Sequence, residues 1–209
     1  TTTTTTGPGE LLSYRPGERA VIALGSTIAK FYAADADLGA ACAGAAWAER
    51  ALGALAQGPR AVDPVRRITI QDRIVGRQLD HHDVAAAAGD GAAILRSLHT
   101  STSVDGMTLE LDAQLRDTRS AATLAAAILP ELASRVRRLV QRLEANVPAG
   151  RPVVPSHGDF NVSQMIRRAD GGIRVLDFDE HCLASPAYDL AAYVANVISG
   201  RPGDLERAL

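Results

Sequence analysis

The most restrictive stretch of the chain is SHGDFNVSQMIRRADGGIRVLDFDE, residues 156–180. Two apolar runs, MIRR and IRVLDF, are joined across ADGG, and Asp-Gly is the pair favoured at the centre of a two-residue type I′ turn. A β-hairpin turning on Asp170-Gly171 pairs Ala169 with Gly172. Counting back sets Arg168 opposite Ile173, Met165 opposite Leu176 and Gln164 opposite Asp177, about 5 Å apart at Cα. With Gly171-Gly172 as the turn instead, Ile166 faces Asp177 and Gln164 lies one step beyond. Upstream, a Gly beside an Asp after the apolar run PVV predicts a tight loop presenting Asp159. Either register brings Gln164, Asp177 and Asp159 to one end of the hairpin.

An amide oxygen and two carboxylates make an all-oxygen donor set suited to a hard cation, and Mg²⁺ in such sites usually brings phosphate oxygens with it. Gln164 and Asp177 are the candidate metal ligands. Asp159, on its loop, is left to accept a proton from an incoming hydroxyl. An isolated Asp in a loop more often caps a turn. Three polar groups aligned by one hairpin favour a site.

Ahead of this stretch, ELLSY, RAVIAL and TIAKFY are short β-like pieces separated by the turn signals RPGE and GS, a small antiparallel meander. The Ala-rich run from Asp37 to about Gln57 predicts a helix, with Asp35 or Asp37 as its cap. After the turn QGPRAVDP, VRRITIQDRI predicts one or two further strands, and VGRQLD leads into helical sequence that dominates to about residue 147. Asp83 is the expected cap of the helix across HHDVAAAAGDGAAILRSLHT. Leu132, Val136, Leu139, Val140 and Leu143 share one face of an amphipathic helix that Pro130 begins. The arginines 135, 137, 138 and 142 on that helix read as its solvated face.

With 209 residues and 46% hydrophobic content, the chain has enough apolar sequence for one large domain or two small lobes. A net charge of -2 gives no general attraction to nucleic acid or to an anionic membrane, so phosphate chemistry must be local and the partner a small molecule. Cys42 and Cys182 form neither a disulfide framework nor a paired zinc spacing, which suits a reducing compartment. With no signal peptide and no bilayer-length apolar run, the expected location is the cytoplasm. The sequence does not fix an oligomeric state. Residues 1–9, opening with TTTTTT, read as a disordered tail. His81, His82 and Asp83 show no further metal ligand, His181 and Cys182 read as loop packing, and Trp47 reads as core.

Lys30, in TIAKFY, is the single lysine, whereas the other 21 cations of the Lys and Arg total of 22 are arginines. A compact ammonium suits a tight place where a planar guanidinium fork does not.

This order of parts resembles the kinase-like fold, and within it the aminoglycoside phosphotransferase and choline kinase superfamily of small-molecule kinases, over most of residues 11–195. HGDFNVSQ is similar to that family's catalytic loop, which implies Asp159 as the catalytic residue, Gln164 as a metal-binding amide and His157, the His that opens the loop, among the cofactor-binding residues. LDFDE resembles its metal segment and implies Asp177 as the essential metal ligand. SPAYDLA places Asp189 where the family has a loop-supporting Asp. GDGAAILRSLHT is similar to a helix ending in Leu-His, and DRIVGRQL to the hinge between lobes.

The resemblance also implies that Lys30 meets the α- and β-phosphates of ATP, with Glu49 on the next helix as its ion-pair partner. RPGER is not a multi-glycine loop, so the phosphate cover falls to backbone N–H groups near Gly17 and to Arg19.

The expected architecture is α+β and bilobal: a protein-kinase-like fold with a small antiparallel-sheet N-lobe, residues 10–75, and a mainly helical C-lobe, residues 76–209. The expected activity is ATP- and Mg²⁺-dependent transfer of the γ-phosphoryl group to a hydroxyl of a small polar acceptor. A sugar is favoured over an aminoglycoside or amino alcohol, because Gln164 stands where the superfamily usually has Asn. About twenty residues follow Asp189, where relatives continue with helices of the acceptor pocket, so the chain is either a fragment or has a reduced acceptor site. The alternative is a kinase-like nucleotide-binding or regulatory module without turnover. A protein kinase fits less well, because the metal segment reads DFD and no APE-like sequence follows.

Overall fold

The computed structural model describes residues 9–102, 108–147 and 152–199. The expected disordered tail, apart from Gly9, lies outside the described residues, as do residues 200–209. Three strands, β1 (Glu10–Arg15), β2 (Arg19–Leu24) and β3 (Thr27–Tyr32), form the expected meander. Helix α1 (Leu38–Leu52) follows, and β4 (Ala61–Asp63) and β5 (Ile68–Asp72) complete a five-stranded antiparallel sheet in the order β1-β2-β3-β5-β4. Asp37 caps α1 through a 2.8 Å hydrogen bond donated by the Ala40 N–H. β4 lies inside the stretch read as a turn. Its ladder with β5 closes because the Asp63 carboxylate accepts from the Val65 and Arg66 N–H groups at 3.1 and 2.9 Å, tying the loop between the two strands.

The remainder is mainly helical. The short β6 (Arg77–Gln78) precedes α2 (Val84–His99), α3 (Leu111–Ile128) and α4 (Ala133–Ala145). Strands β7 (Val154–Ser156), β8 (Met165–Arg167), β9 (Ile173–Val175) and β10 (Cys182–Ala184) lead to α5 (Pro186–Ser199). Asp83 stands at the N-cap position of α2 without capping it. Its carboxylate accepts both guanidinium arms of Arg77 at 2.7 Å and the Asp80 N–H at 3.0 Å. Helix α4 packs against α3, yet neither helix contributes a buried residue, and Leu139 and Leu143 of the apolar stripe stay exposed.

The hairpin forms, in a register that differs from both expectations. Met165 pairs with Val175, Ile166 with Arg174 and Arg167 with Ile173, around the three-residue loop 169–171. A type I′ turn requires positive φ at both central residues, but here only Gly171 has it, at φ 84°. The Arg168 N–H donates to Gly172 O at 2.8 Å, and the Leu176 N–H to Gln164 O at 2.8 Å. Gln164 therefore pairs with Leu176, and Asp177 falls just past the end of the ladder.

The core lies beneath this hairpin. Trp47, Leu79, Leu98, Phe160, Val162 and Met165 are almost wholly buried between α1, α2 and the loop leading into β8. Trp47 meets Phe178 edge-on at 6.2 Å between ring centroids, which fixes α1 against the segment after β9. That contact requires a glycine at 44, where a Cβ would lie 2.3 Å from the Phe178 carbonyl oxygen.

Candidate active site

The loop presenting Asp159 leaves β7 at Ser156 and is held from below by a buried carboxylate. Asp189, with 0% exposure, accepts the His157 N–H on Oδ2 at 2.9 Å and the Gly158 N–H on Oδ1 at 3.0 Å, and His99 Nε2 lies 3.1 Å from Oδ2. Gly158, at φ 89°, turns the chain where any Cβ would lie 1.8 Å from Glu180 O, so the loop and the segment after Asp177 press backbone to backbone. His157 is fully buried, and its Nε2 lies 2.9 Å from Leu176 O while Nδ1 accepts from the Asp159 N–H at 3.3 Å. The expectation that His157 belongs to the cofactor contacts is thus corrected: it ties the loop to β9 from underneath.

Asp159 is gripped by amides. Asn161 Nδ2 donates to its backbone oxygen at 3.1 Å and to Oδ1 at 3.2 Å, while Gln164 Nε2 donates to Oδ2 at 3.2 Å. Asn161 in turn accepts from the Ser163 N–H at 3.0 Å. Sequence reasoning passed over Asn161, although an Asn two residues after a loop Asp is the ordinary signature of such a side-chain turn.

Asp177 adopts a left-handed backbone, φ 64° and ψ 62°, unusual for a residue with a Cβ and found where surrounding contacts hold a functional side chain in place. This conformation and the 3₁₀ turn at 178–180 direct Asp177 and Asp179 toward the sheet. Lys30 is on the central strand β3, between Val21 and Thr69. Its Nζ donates to Asp177 Oδ1 at 2.7 Å and to Asp179 Oδ1 at 3.1 Å. The Arg19 guanidinium reaches from β2 to the other oxygen of each carboxylate, and the Tyr32 hydroxyl donates to Asp179 Oδ2 at 3.1 Å.

Two cations thus face two carboxylates at the base of a narrow cleft of about 20 Å³ that Lys30, Tyr32, Cys42, Ala45, Thr69 and Asp177 help to line. Burial pushes the Asp177 carboxyl up, but Lys30 and Arg19 outweigh it and hold the group below the ordinary carboxylate range. Burial opposes the Arg19 charge, and Asp177 and Asp179 together raise its pKa above the usual value. The Tyr32 hydroxyl is raised by burial and then by Asp179.

Glu49 is not the partner of Lys30. It is exposed, and its Oε1 accepts the Gly58 N–H at 2.8 Å. The α1 residues lining the cleft are Ala41, Cys42 and Ala45, so Glu49 sits one turn, about 6 Å, further along the helix. Gly17, at φ 77°, is in the open turn between β1 and β2, where nothing would meet an added Cβ. Asp179 is, with Asn161, a residue the sequence reading missed, although it stands two places after Asp177 in the quoted LDFDE.

Neither cysteine is set up as a nucleophile. Burial, then Asp189 and Glu180, pushes the Cys182 thiol up to about 12, and burial with Asp179 raises Cys42. The neighbouring His181 is buried with neither ring nitrogen hydrogen-bonded. A groove of about 610 Å³ opens on the helical side, with Glu110, Gln114, Leu143, Val153 and Tyr188 in its wall. Asp177, Asp179, Gln164 and Asp159 offer only oxygen donors for a metal, and that chemistry fits a hard divalent cation.

A family model described as the phosphotransferase enzyme family matches residues 29–208. None of the curated proteins matches the sequence significantly. Among solved structures, a choline/ethanolamine kinase family protein from Mesorhizobium loti superposes with a TM-score of 0.67 at 19% identity, over 93% of this chain and 66% of that one. Choline kinase LicA from Streptococcus pneumoniae gives 0.66 at 15%, over 91% and 69%. The streptomycin–ATP–APH(2″)-IIa ternary complex gives 0.64 at 16%, over 92% and 76%. The chain therefore spans about two thirds to three quarters of the length of these structures, and its α+β architecture is the kinase-like one they share.

Proposed function

Because the chain belongs to the phosphotransferase enzyme family, we propose that it moves the γ-phosphoryl group of ATP to a hydroxyl of a small polar acceptor. The observation that carries this reading is the meeting, at one cleft, of a cationic pair on the sheet with two carboxylates on the 177–180 segment, beside an Asp159 whose two oxygens are fixed by amides. Residues 10–75 would form the nucleotide lobe and residues 76–209 the catalytic lobe. A nucleotide suits a site with two cations at its base, and structures of relatives carry ATP, AMP or GDP in their names.

Asp177, with Gln164 brought beside it by the pairing of Gln164 with Leu176, would hold Mg²⁺. A bound Mg²⁺ supplies charge neutralisation on the phosphate oxygens. Lys30, Arg19 and the backbone around Gly17 steady the phosphates. Asp159 orients the acceptor hydroxyl and takes its proton as the new oxygen–phosphorus bond forms and the bond to the leaving ADP breaks. Asn161 and Gln164 keep the carboxylate aimed, which is positioning rather than proton chemistry.

The acceptor would enter by the groove that Tyr188 and Glu110 help to line. A sugar ranks first, on the Gln164 variant alone, with aminoglycosides and amino alcohols behind it. Among the described residues no helix is long and apolar enough to cross a membrane, and a cytoplasmic location is part of this proposal.

A second reading, a nucleotide-binding or regulatory module without turnover, is favoured by one observation: Arg19 and Lys30 already neutralise both acidic groups of the cleft. ADP release from Mg-ATP against a panel of sugars, aminoglycosides and amino alcohols separates the two, with Asp159→Asn as control. Acceptor-dependent release lost in the variant supports the enzyme. Silence across the panel with Mg-ATP still bound supports the module.

A further inference from the structure

We propose that Asp179 is the positioning residue for Lys30 in this chain, doing from the 177–180 segment what a helix carboxylate was expected to do. The inference rests on the phosphotransferase reading, in which Lys30 meets the phosphates. Three independent features converge on it.

The first is the contact set. Asp179, its side chain only 12% exposed, accepts from Lys30, Arg19 and the Tyr32 hydroxyl, so every donor it meets is on β2 or β3. Asp177 meets only the two cations. When Asp177 turns to a metal ion, Lys30 and Arg19 each keep one oxygen of Asp179, and the ammonium stays anchored toward the cleft.

The second is the composition of α1 at that level. The helix faces the cleft with Ala41, Cys42 and Ala45, and its nearest carboxylate, Glu49, is committed to the Gly58 N–H. A helix without a carboxylate there cannot fix Lys30 by moving in and out. The third is the backbone. The left-handed Asp177 and the 3₁₀ turn after it bring residue 179 back to the sheet, and Gly44 and Trp47 of α1 lock that turn through Phe178. Asp179 is therefore delivered to Lys30 by a rigid element, as a positioning group must be.

The test uses the lysine count. Lys30 is the only lysine among 209 residues, so its reactivity toward an amine-directed reagent can be followed by peptide mass spectrometry without competing lysines. In the full chain without nucleotide, Asp179→Asn should speed Lys30 labelling about fivefold. It should also weaken Mg-ADP binding about tenfold, the size of one lost charge-assisted contact, while adenosine affinity stays level. Asp179→Glu should restore part of both, and Glu49→Gln should change neither.

Unchanged labelling and Mg-ADP affinity in Asp179→Asn, or a response to Glu49→Gln, overturns the assignment. If Asp179→Asn fails to fold by circular dichroism, Asp179→Glu and Glu49→Gln still decide it. A wild-type chain that binds no Mg-ADP would sink the phosphotransferase reading and leave the labelling result to judge Asp179 by itself.

Discussion

Asp159 and Asp177 lie in neighbouring segments, and the chain holds them in opposite ways. Neutral amides from Asn161 and Gln164 hold Asp159. Asp177 is held by two full charges, Lys30 and Arg19. Amide donors fix the direction of a carboxylate while leaving it without a counter-charge, which suits a group that must take a proton. A carboxylate matched by cations is instead a place where one positive partner can be exchanged for another. The same residue type thus serves aiming in one segment and charge exchange in the other, and the difference lies wholly in what surrounds it.

The largest effect should come from Asp159→Asn. It keeps the shape of the loop, so turnover should fall about 10³-fold while Mg-ADP affinity stays within about twofold. Normal turnover would dissolve the distinction between the two carboxylates. Asp177→Ala should do the reverse, weakening Mg-nucleotide binding about 10²-fold in calorimetry. It also leaves Arg19 and Lys30 short of a partner. With 18% of the Asp177 side chain exposed, the stability loss should fall below the full cost of a broken buried pair, to about 2 kcal/mol by denaturant unfolding. Unchanged affinity would remove the metal role.

Asn161→Ala should lower kcat about tenfold with little change in KM for ATP, because it frees Asp159 to turn without touching the cationic side of the cleft. A matching loss of nucleotide affinity would blur the two regions into one. The smallest effect concerns acid. Asp177 is held below its ordinary range, so its pairing contributes stability that is full above the unfolded carboxylate value near 4 and is lost as pH falls through the lower folded value. Melting temperature between pH 6 and pH 2 should therefore fall more steeply for wild type than for Asp177→Asn.

Much of this arrangement was legible in the residues. The meander, the Ala-rich helix with its Asp37 cap, the loop presenting Asp159 and the existence of the 165–175 hairpin all follow from turn chemistry and apolar spacing, which act locally. The register did not follow. It depends on Gly171 alone taking a left-handed conformation, and Asp170-Gly171-Gly172 leaves that choice open to the surrounding packing. Glu49 was misplaced for a similar reason: a sequence offset cannot say how far a helix slides past a strand, and here the slide leaves Ala45 at the level of the cleft. His157 read as a site residue because it matches the His that opens the family's loop. Its burial is set by Leu176, which a turn argument cannot reach. Asp179 escaped because its partners, Arg19, Lys30 and Tyr32, are some 150 residues away in sequence, and only the folded sheet joins them.

The α3–α4 pair contributes no side chain to the core, although Leu143 of α4 and Gln114 of α3 stand in the wall of the groove that Tyr188 also lines. Its amide protons should exchange through local opening at a small fraction of the global unfolding free energy. Residues there can then be replaced with little penalty to the nucleotide half. On the phosphotransferase reading, selection for a new acceptor has, in these two helices, a wall it can rebuild while the proposed phosphate site stays intact.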